Sequence, residues 1–259
     1  MICAITARLG VWQLDRLTQR RATSAQLASR AAALPLLLAG SGGSDPAIVQ
    51  ALAAGEARRD LEFRRVAVYG TFDYTGELAL TNRVWNRALG LHLITPLRLS
   101  GSEQAILVDR GWIPAADASP ATWGRYRAGG PADPAAAVEV DGWLRLSRRG
   151  SVFDTPRTGD RLIENVDVQR IQPLVTSPLL LFYVVQAPSA GGQDAPPYRQ
   201  PPLTDLGDGV HLIVAVQWFA FSVIGIVGYA LYLRKHARPL AELRQPRQAG
   251  HGAVPGQRA

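Results

Sequence analysis

The chain has 259 residues and a formal charge of +7, from 28 Lys or Arg against 21 Asp or Glu, which invites a nucleic-acid reading. That reading fails once the charge is located: residues 20–209 hold 20 Arg against 19 acidic residues, whereas residues 210–259 hold six Lys or Arg against Glu242 alone. A nucleic-acid surface needs its basic residues clustered on the folded domain, so no nucleic-acid partner is expected. A single cysteine, Cys3, excludes an intrachain disulfide and a cysteine-based zinc or copper site.

Met1–Leu14 is apolar but too short to cross a bilayer, and Arg8 interrupts it. It also lacks the clean apolar run and small-residue cleavage site of a signal peptide. Arg16, Arg20, Arg21 and Arg30 follow in an Ala-, Leu- and Gln-rich stretch predicted to stay helical to about Ala33. Two readings stay open: a short interfacial helix, or the outer half of a spanning helix whose first residues precede Met1.

Pro35 closes this helix, and Ser41–Ser44 (SGGS) reads as a loop. Asp45-Pro46 supplies an N-cap and first-turn proline for a short helix to about Ala57. Five segments then read as strands, being short, aliphatic or β-branched and bounded by Gly or polar turns: Phe63–Phe72, Glu77–Arg83, Leu91–Leu99, Ala105–Pro114 and Val138–Leu146. Ala115–Asp133 reads as a loop with one helical turn, Val166–Leu174 as a short helix, and Leu179–Ala187 as a buried strand. Ser189–Asp208, with Gly191, Gly192 and four prolines, is a linker.

Val210–Leu233 is free of Asp, Glu, Lys and Arg for 24 residues. As a helix it is roughly 36 Å long, enough for a hydrocarbon core of roughly 30 Å. Arg234, Lys235, His236 and Arg238 then form a basic stop, which favours the cytoplasmic side and contact with anionic lipid. The chain thus divides into an anchor helix (1–33), an α+β domain (34–209), a transmembrane helix (210–233) and a basic tail (234–259). The fold expected is a membrane protein of the α+β class, with a mainly antiparallel extramembrane domain between two membrane helices, the first only partly present.

No HExxH, GxSxG, Walker loop or Rossmann glycine pattern occurs, and Asp and Glu are scattered singly beside arginines, as on a solvated surface. No catalytic residue is assigned. Asp109-Arg110-Gly111-Trp112 ends a strand and reads as a structural turn at Gly111, with an Arg110 ion pair and a buried Trp112, against the alternative of a partner-docking turn; His92 reads as an ordinary strand residue. His211, at the edge of the spanning helix, is a site candidate because titratable groups there are rare.

The segments LGVWQLDR (Leu9–Arg16), YGTFDYTGELALTNR (Tyr69–Arg83), GLHLITPLRLSG (Gly90–Gly101), LVDRGWIP (Leu107–Pro114), VDGWLRL (Val140–Leu146) and HLIVAVQWFAF (His211–Phe221), in this order, resemble the surfeit locus protein 1 family. The resemblance implies an assembly factor of cytochrome c oxidase. In that family two membrane helices flank a domain facing the intermembrane space or the periplasm. For this chain it implies a bacterial plasma membrane, a periplasmic main domain and a cytoplasmic tail. The implied partners are the oxidase catalytic subunit, the haem a synthesis machinery and membrane lipid, with haem a as transient cofactor. His211 becomes the proposed ligand of haem iron, against the alternative of a headgroup-level residue bonded to a loop carbonyl. Gln217 and Trp218 lie six and seven residues on, so Trp218 shares a face with His211 and either stacks on a porphyrin or packs helices. Trp12 and Gln13 sit near the matching end of the first helix and would meet His211 if both helices lined one pocket. The competing function is a membrane scaffold that stabilises an oxidase intermediate without touching haem.

Overall fold

The structure is a computed structural model that describes residues 2–40, 43–127, 136–150, 161–189, 193–202 and 210–242. It separates into a helical unit, residues 1–22 and 206–259, and a β unit, residues 23–205. The elements in chain order are α1 (Ile2–Ala32), β1 (Leu36–Gly40), β2 (Gly43–Ser44), α2 (Pro46–Ala53), β3 (Arg65–Phe72), β4 (Leu78–Trp85), β5 (Ala88–Leu99), β6 (Ala105–Pro114), β7 (Ala137–Leu146), β8 (Leu162–Ile163), α3 (Val168–Ile171), β9 (Leu179–Gln186) and α4 (His211–Glu242).

In the β unit nine strands run in the order β2-β1-β3-β7-β9-β6-β5-β4-β8, and an added β3–β5 pairing closes β3, β7, β9, β6 and β5 into a ring. Alternation decides what fills it: along β3 every second residue is buried, as the two-residue period of a strand requires. Val66, Val68, Leu97, Ile106, Val108, Leu144, Phe182 and Val184 pack together with no exposed surface. A second cluster, with Leu78, Leu80, Ile94 and Leu107, lies under β8 and α3. Six of the described pairings are antiparallel and three, β1–β3, β4–β8 and β6–β9, are parallel.

The α+β class and the five expected strands plus Leu179–Ala187 are present, with ends shifted by a few residues. β5 begins at Ala88 because Asn86 and Arg87 both adopt positive φ, 47° and 68°, and make a two-residue hairpin turn without glycine. Asp45 caps α2 as expected, its Oδ1 accepting from the Ala47 and Ile48 amides. α2 stops at Ala53, short of the expected Ala57, and a 3-10 segment from Gly55 to Leu61 takes over. The expected helix Val166–Leu174 is a single α turn, α3, extended by 3-10 geometry at Pro173. β1, β2 and β8 were not foreseen; each is short and is fixed by a partner strand.

The four residues Asp109–Trp112 lie within β6 and do not end it. Gly111 has φ +113°, and a Cβ there would stand 2.6 Å from the Tyr198 carbonyl oxygen, so both conformation and contact demand glycine. Trp112 is buried and exchanges backbone hydrogen bonds with Tyr198. Arg110, 1% exposed, donates to Glu77 Oε1 at 2.7 Å inside the fold. The Thr95 hydroxyl donates to the same oxygen, and the rings of Phe72 and Tyr74 flank the guanidinium.

In the helical unit, His211–His236 of α4 is long and apolar enough to cross a membrane. Among the described residues no other helix is, so the expectation of two membrane helices reduces to one apolar candidate; α1 carries Arg8, Arg16, Arg20 and Arg21. The α4 helix continues through the basic cluster to Glu242, and the rest of the expected tail lies outside the described residues.

Candidate functional site

Within the helical unit the two helices pack antiparallel through small and polar residues. Gly10 faces Phe219, whose ring would stand 2.8 Å from any Cβ at that position. Nearer the start of the chain the Thr6 and Ser222 hydroxyls share a hydrogen bond, and the Ser222 hydroxyl also reaches the Cys3 carbonyl at 3.2 Å. Small residues allow such close approach, and the hydroxyls satisfy one another away from water.

At the other end of the contact stands His211, the first residue of α4. Gln13 and Arg20 are seven residues apart on α1, two helical turns, so they share one face, with the buried Leu17 between them. Both reach the imidazole. Gln13 Oε1 lies 2.8 Å from His211 Nδ1, and Arg20 Nη1 lies 3.3 Å from His211 Nε2.

These contacts together assign the tautomer. A guanidinium has five N–H donors and no acceptor, so Nε2 must be the accepting nitrogen. The ring proton is then on Nδ1 and donates to the Gln13 carbonyl oxygen. His211 therefore presents a lone pair at Nε2 and is held in orientation through Nδ1, the arrangement typical of a metal-ligating histidine supported by a second hydrogen bond. A neutral imidazole so oriented is a donor set that could hold haem iron, and in the protein by itself Arg20 covers that nitrogen. Among the described residues no group of three or more His, Cys, Asp or Glu is gathered to hold a metal ion.

The other expected site residues are placed differently. Trp12 is 52% exposed, with the Arg16 guanidinium 6.0 Å over its ring. Trp218 packs edge-on against Phe221 at 6.0 Å, and its carbonyl accepts from Ser222. Gln217 is exposed. The described hydrogen bonds of His211 thus go to Gln13, which the sequence reading had placed beside Trp12, and to Arg20, which it had counted only among flanking basic residues. The signal for Arg20 was its position two turns from Gln13.

The sequence profile of the SURF1 family matches residues 1–223. A SURF1-like protein of Monosiga brevicollis is 26% identical over 254 residues, 93% of this chain and 88% of its own length. Surfeit locus protein 1 of Mus musculus is 28% identical over 175 residues, 62% of this chain and 51% of its own length. Its counterpart in Xenopus tropicalis is 26% identical over 168 residues, 59% of this chain and 48% of its own length. The matched region thus spans about half the length of the Mus musculus and Xenopus tropicalis proteins.

Proposed function

Because this chain belongs to the SURF1 family, we propose that it is a membrane-anchored, non-enzymatic assembly factor for a haem–copper cytochrome c oxidase. In this reading it holds haem a transiently and releases it to the maturing catalytic subunit. The α4 helix anchors the chain, the basic cluster after Leu233 keeps its tail cytoplasmic, and the β unit meets the oxidase or the haem-synthesis machinery on the outer side. The observation that supports haem capture is the hydrogen-bond pattern at His211: Nδ1 engaged by Gln13, Nε2 left as the lone-pair nitrogen under Arg20.

Haem a, if bound, would be held through His211 Nε2 and would supply an iron that takes an imidazole nitrogen, together with carboxylate side chains. The protein's own residues do the rest. Gln13 keeps the imidazole in the accepting tautomer and fixes its ring plane. Arg20, a half-buried side chain with several rotatable bonds, uncovers Nε2 by rotating, and its planar fork then suits a carboxylate. Arg20 on the nitrogen keeps the lone pair satisfied when no haem is present, so the empty protein carries no orphaned polar group at the membrane edge. The bond to Arg20 is long, 3.3 Å between the nitrogens.

The test is His211→Ala. Alanine leaves the apolar run of α4 intact, so membrane insertion is unchanged. Haem recovered with the purified protein falls sharply, and oxidase assembly weakens. A variant that carries as much haem as the wild type, with the same spectrum, removes the ligand assignment and leaves the scaffold reading.

A further inference from the structure

Away from the helices, the β unit holds a cleft of about 430 Å3 on the side of β4, β5, β6 and β9. That is within the usual size of small-molecule sites. Two backbone irregularities shape it. On β4, Leu80 pairs with His92 but Arg83 pairs with Gly90, so one extra residue is inserted, and Asn82 sits there at φ 59°. Side chains alternate along a strand, so Leu80 and Arg83 would face opposite sides without that insertion. With it both line the cleft. On the neighbouring seam His92 pairs with Trp112 while Ile94 pairs with Asp109, a second insertion, marked by Gly111 at positive φ. This one turns Arg110 into the barrel and leaves Asp109 beside His92.

Three polar groups face the cleft without the partners their positions call for. Arg83 has a buried Nε with no hydrogen bond, and its Nη2 reaches only the Glu164 carbonyl, at 3.4 Å. No carboxylate is paired with it among the described residues. His92 gives its Nδ1 to the Asp109 carboxylate at 2.9 Å, and its other nitrogen has no described partner. The Tyr183 hydroxyl has none either, and burial holds its phenol above the ordinary range, so it remains an O–H donor. Two more guanidiniums line the cleft, Arg145 and Arg148, and both share Glu62, at 3.3 and 3.8 Å. The Asp109 charge is already satisfied by His92 and the Gly111 amide. The cleft therefore has spare positive charge at Arg83 and a spare hydroxyl donor at Tyr183.

We propose that this cleft binds an oxyanion, a phosphate or carboxylate group, gripped by the Arg83 guanidinium with the Tyr183 hydroxyl alongside. The planar fork of arginine suits either group bidentately. Tyr198, stacked between Trp85 and Trp112, keeps the wall from Gln200 to Pro202 against the cleft. All of its lining residues belong to the β unit.

The experiment is calorimetric titration of the full chain in an uncharged detergent with three probes: inorganic phosphate, succinate and a short-chain phosphatidylglycerol. At least one binds saturably. Arg83→Gln weakens that binding roughly tenfold or more, as loss of a charged hydrogen-bonding partner implies, and Tyr183→Phe weakens it roughly fivefold. Arg87→Gln, a change at the exposed β4–β5 turn, leaves it unchanged. Binding of phosphatidylglycerol alone assigns the oxyanion to a lipid headgroup; binding of the free anions assigns it to a soluble ligand. Tyr183→Phe keeps the ring packing and carries the test if Arg83→Gln unfolds. The proposal is overturned if no probe binds, if both cleft variants bind as the wild type does, or if Arg87→Gln loses as much as they do.

Discussion

At the scale of single residues, the account turns on how one imidazole is shared. His211 was legible in the sequence because a titratable side chain in a 24-residue uncharged run has few bland explanations. Its partners were not equally legible. Gln13 stood out only as a polar residue near the matching end of the first helix. Arg20 merged with Arg16 and Arg21, since nothing local says which of three neighbouring arginines faces the other helix; the contact spans 191 positions of sequence. A direct consequence can be measured. Gln13→Leu removes the acceptor that holds Nδ1–H, and comparable losses of a hydrogen bond behind a ligating histidine weaken metal binding roughly 10- to 100-fold. Gln13→Glu keeps an acceptor at that place and retains binding. Haem titration followed at the Soret band should show that order, and equal binding by Gln13→Leu and wild type would deny Gln13 its positioning role.

At the scale of elements, the strands were readable because their period is local, and their ends and closures were not because those are set by distant partners. Ala105–Pro114 has the expected bounds of β6, yet the reading that Asp109–Trp112 ends the strand missed the insertion within it. The structural reading of those four residues does hold in its parts: a glycine at positive φ, a buried tryptophan and an ion-paired arginine. That ion pair yields a stability prediction. Arg110 and Glu77 are 1% and 3% exposed, so Glu77→Gln leaves a buried guanidinium without a counter-charge. Such a change costs about 3–5 kcal/mol, whereas replacing both partners by apolar residues of similar volume costs far less. Urea unfolding followed by tryptophan fluorescence should rank Glu77→Gln well below Arg110→Met/Glu77→Leu. The reverse ranking would mean that the pair adds net stability and that the fold depends on the charges themselves.

At the scale of the molecule, composition located the basic excess behind the apolar helix, and hydropathy located the one described helix that is long and apolar enough to cross a membrane. Barrel closure was invisible, since the β3–β5 and β6–β9 pairings join segments that carry no mutual signal. So was the cleft: its arginines read singly as a solvated surface, and only the two strand insertions bring Arg83 to the side of His92 and Asp109. The proposed orientation across the membrane rests on the Arg234–His236 cluster. A reporter active only on the outer side should be silent when fused after Ala259 and active when inserted near Gly191; the opposite pattern would remove the proposed topology.

The claim on which the rest depends is that the helical unit holds haem a through His211. Its most direct measurement is the absorption spectrum of the full chain, purified in detergent from membranes that make haem a. The account predicts a Soret band of haem a that co-purifies with the wild-type protein and is lost in His211→Ala at equal protein recovery. A wild-type spectrum with no Soret band above that of mock-purified membranes would contradict it.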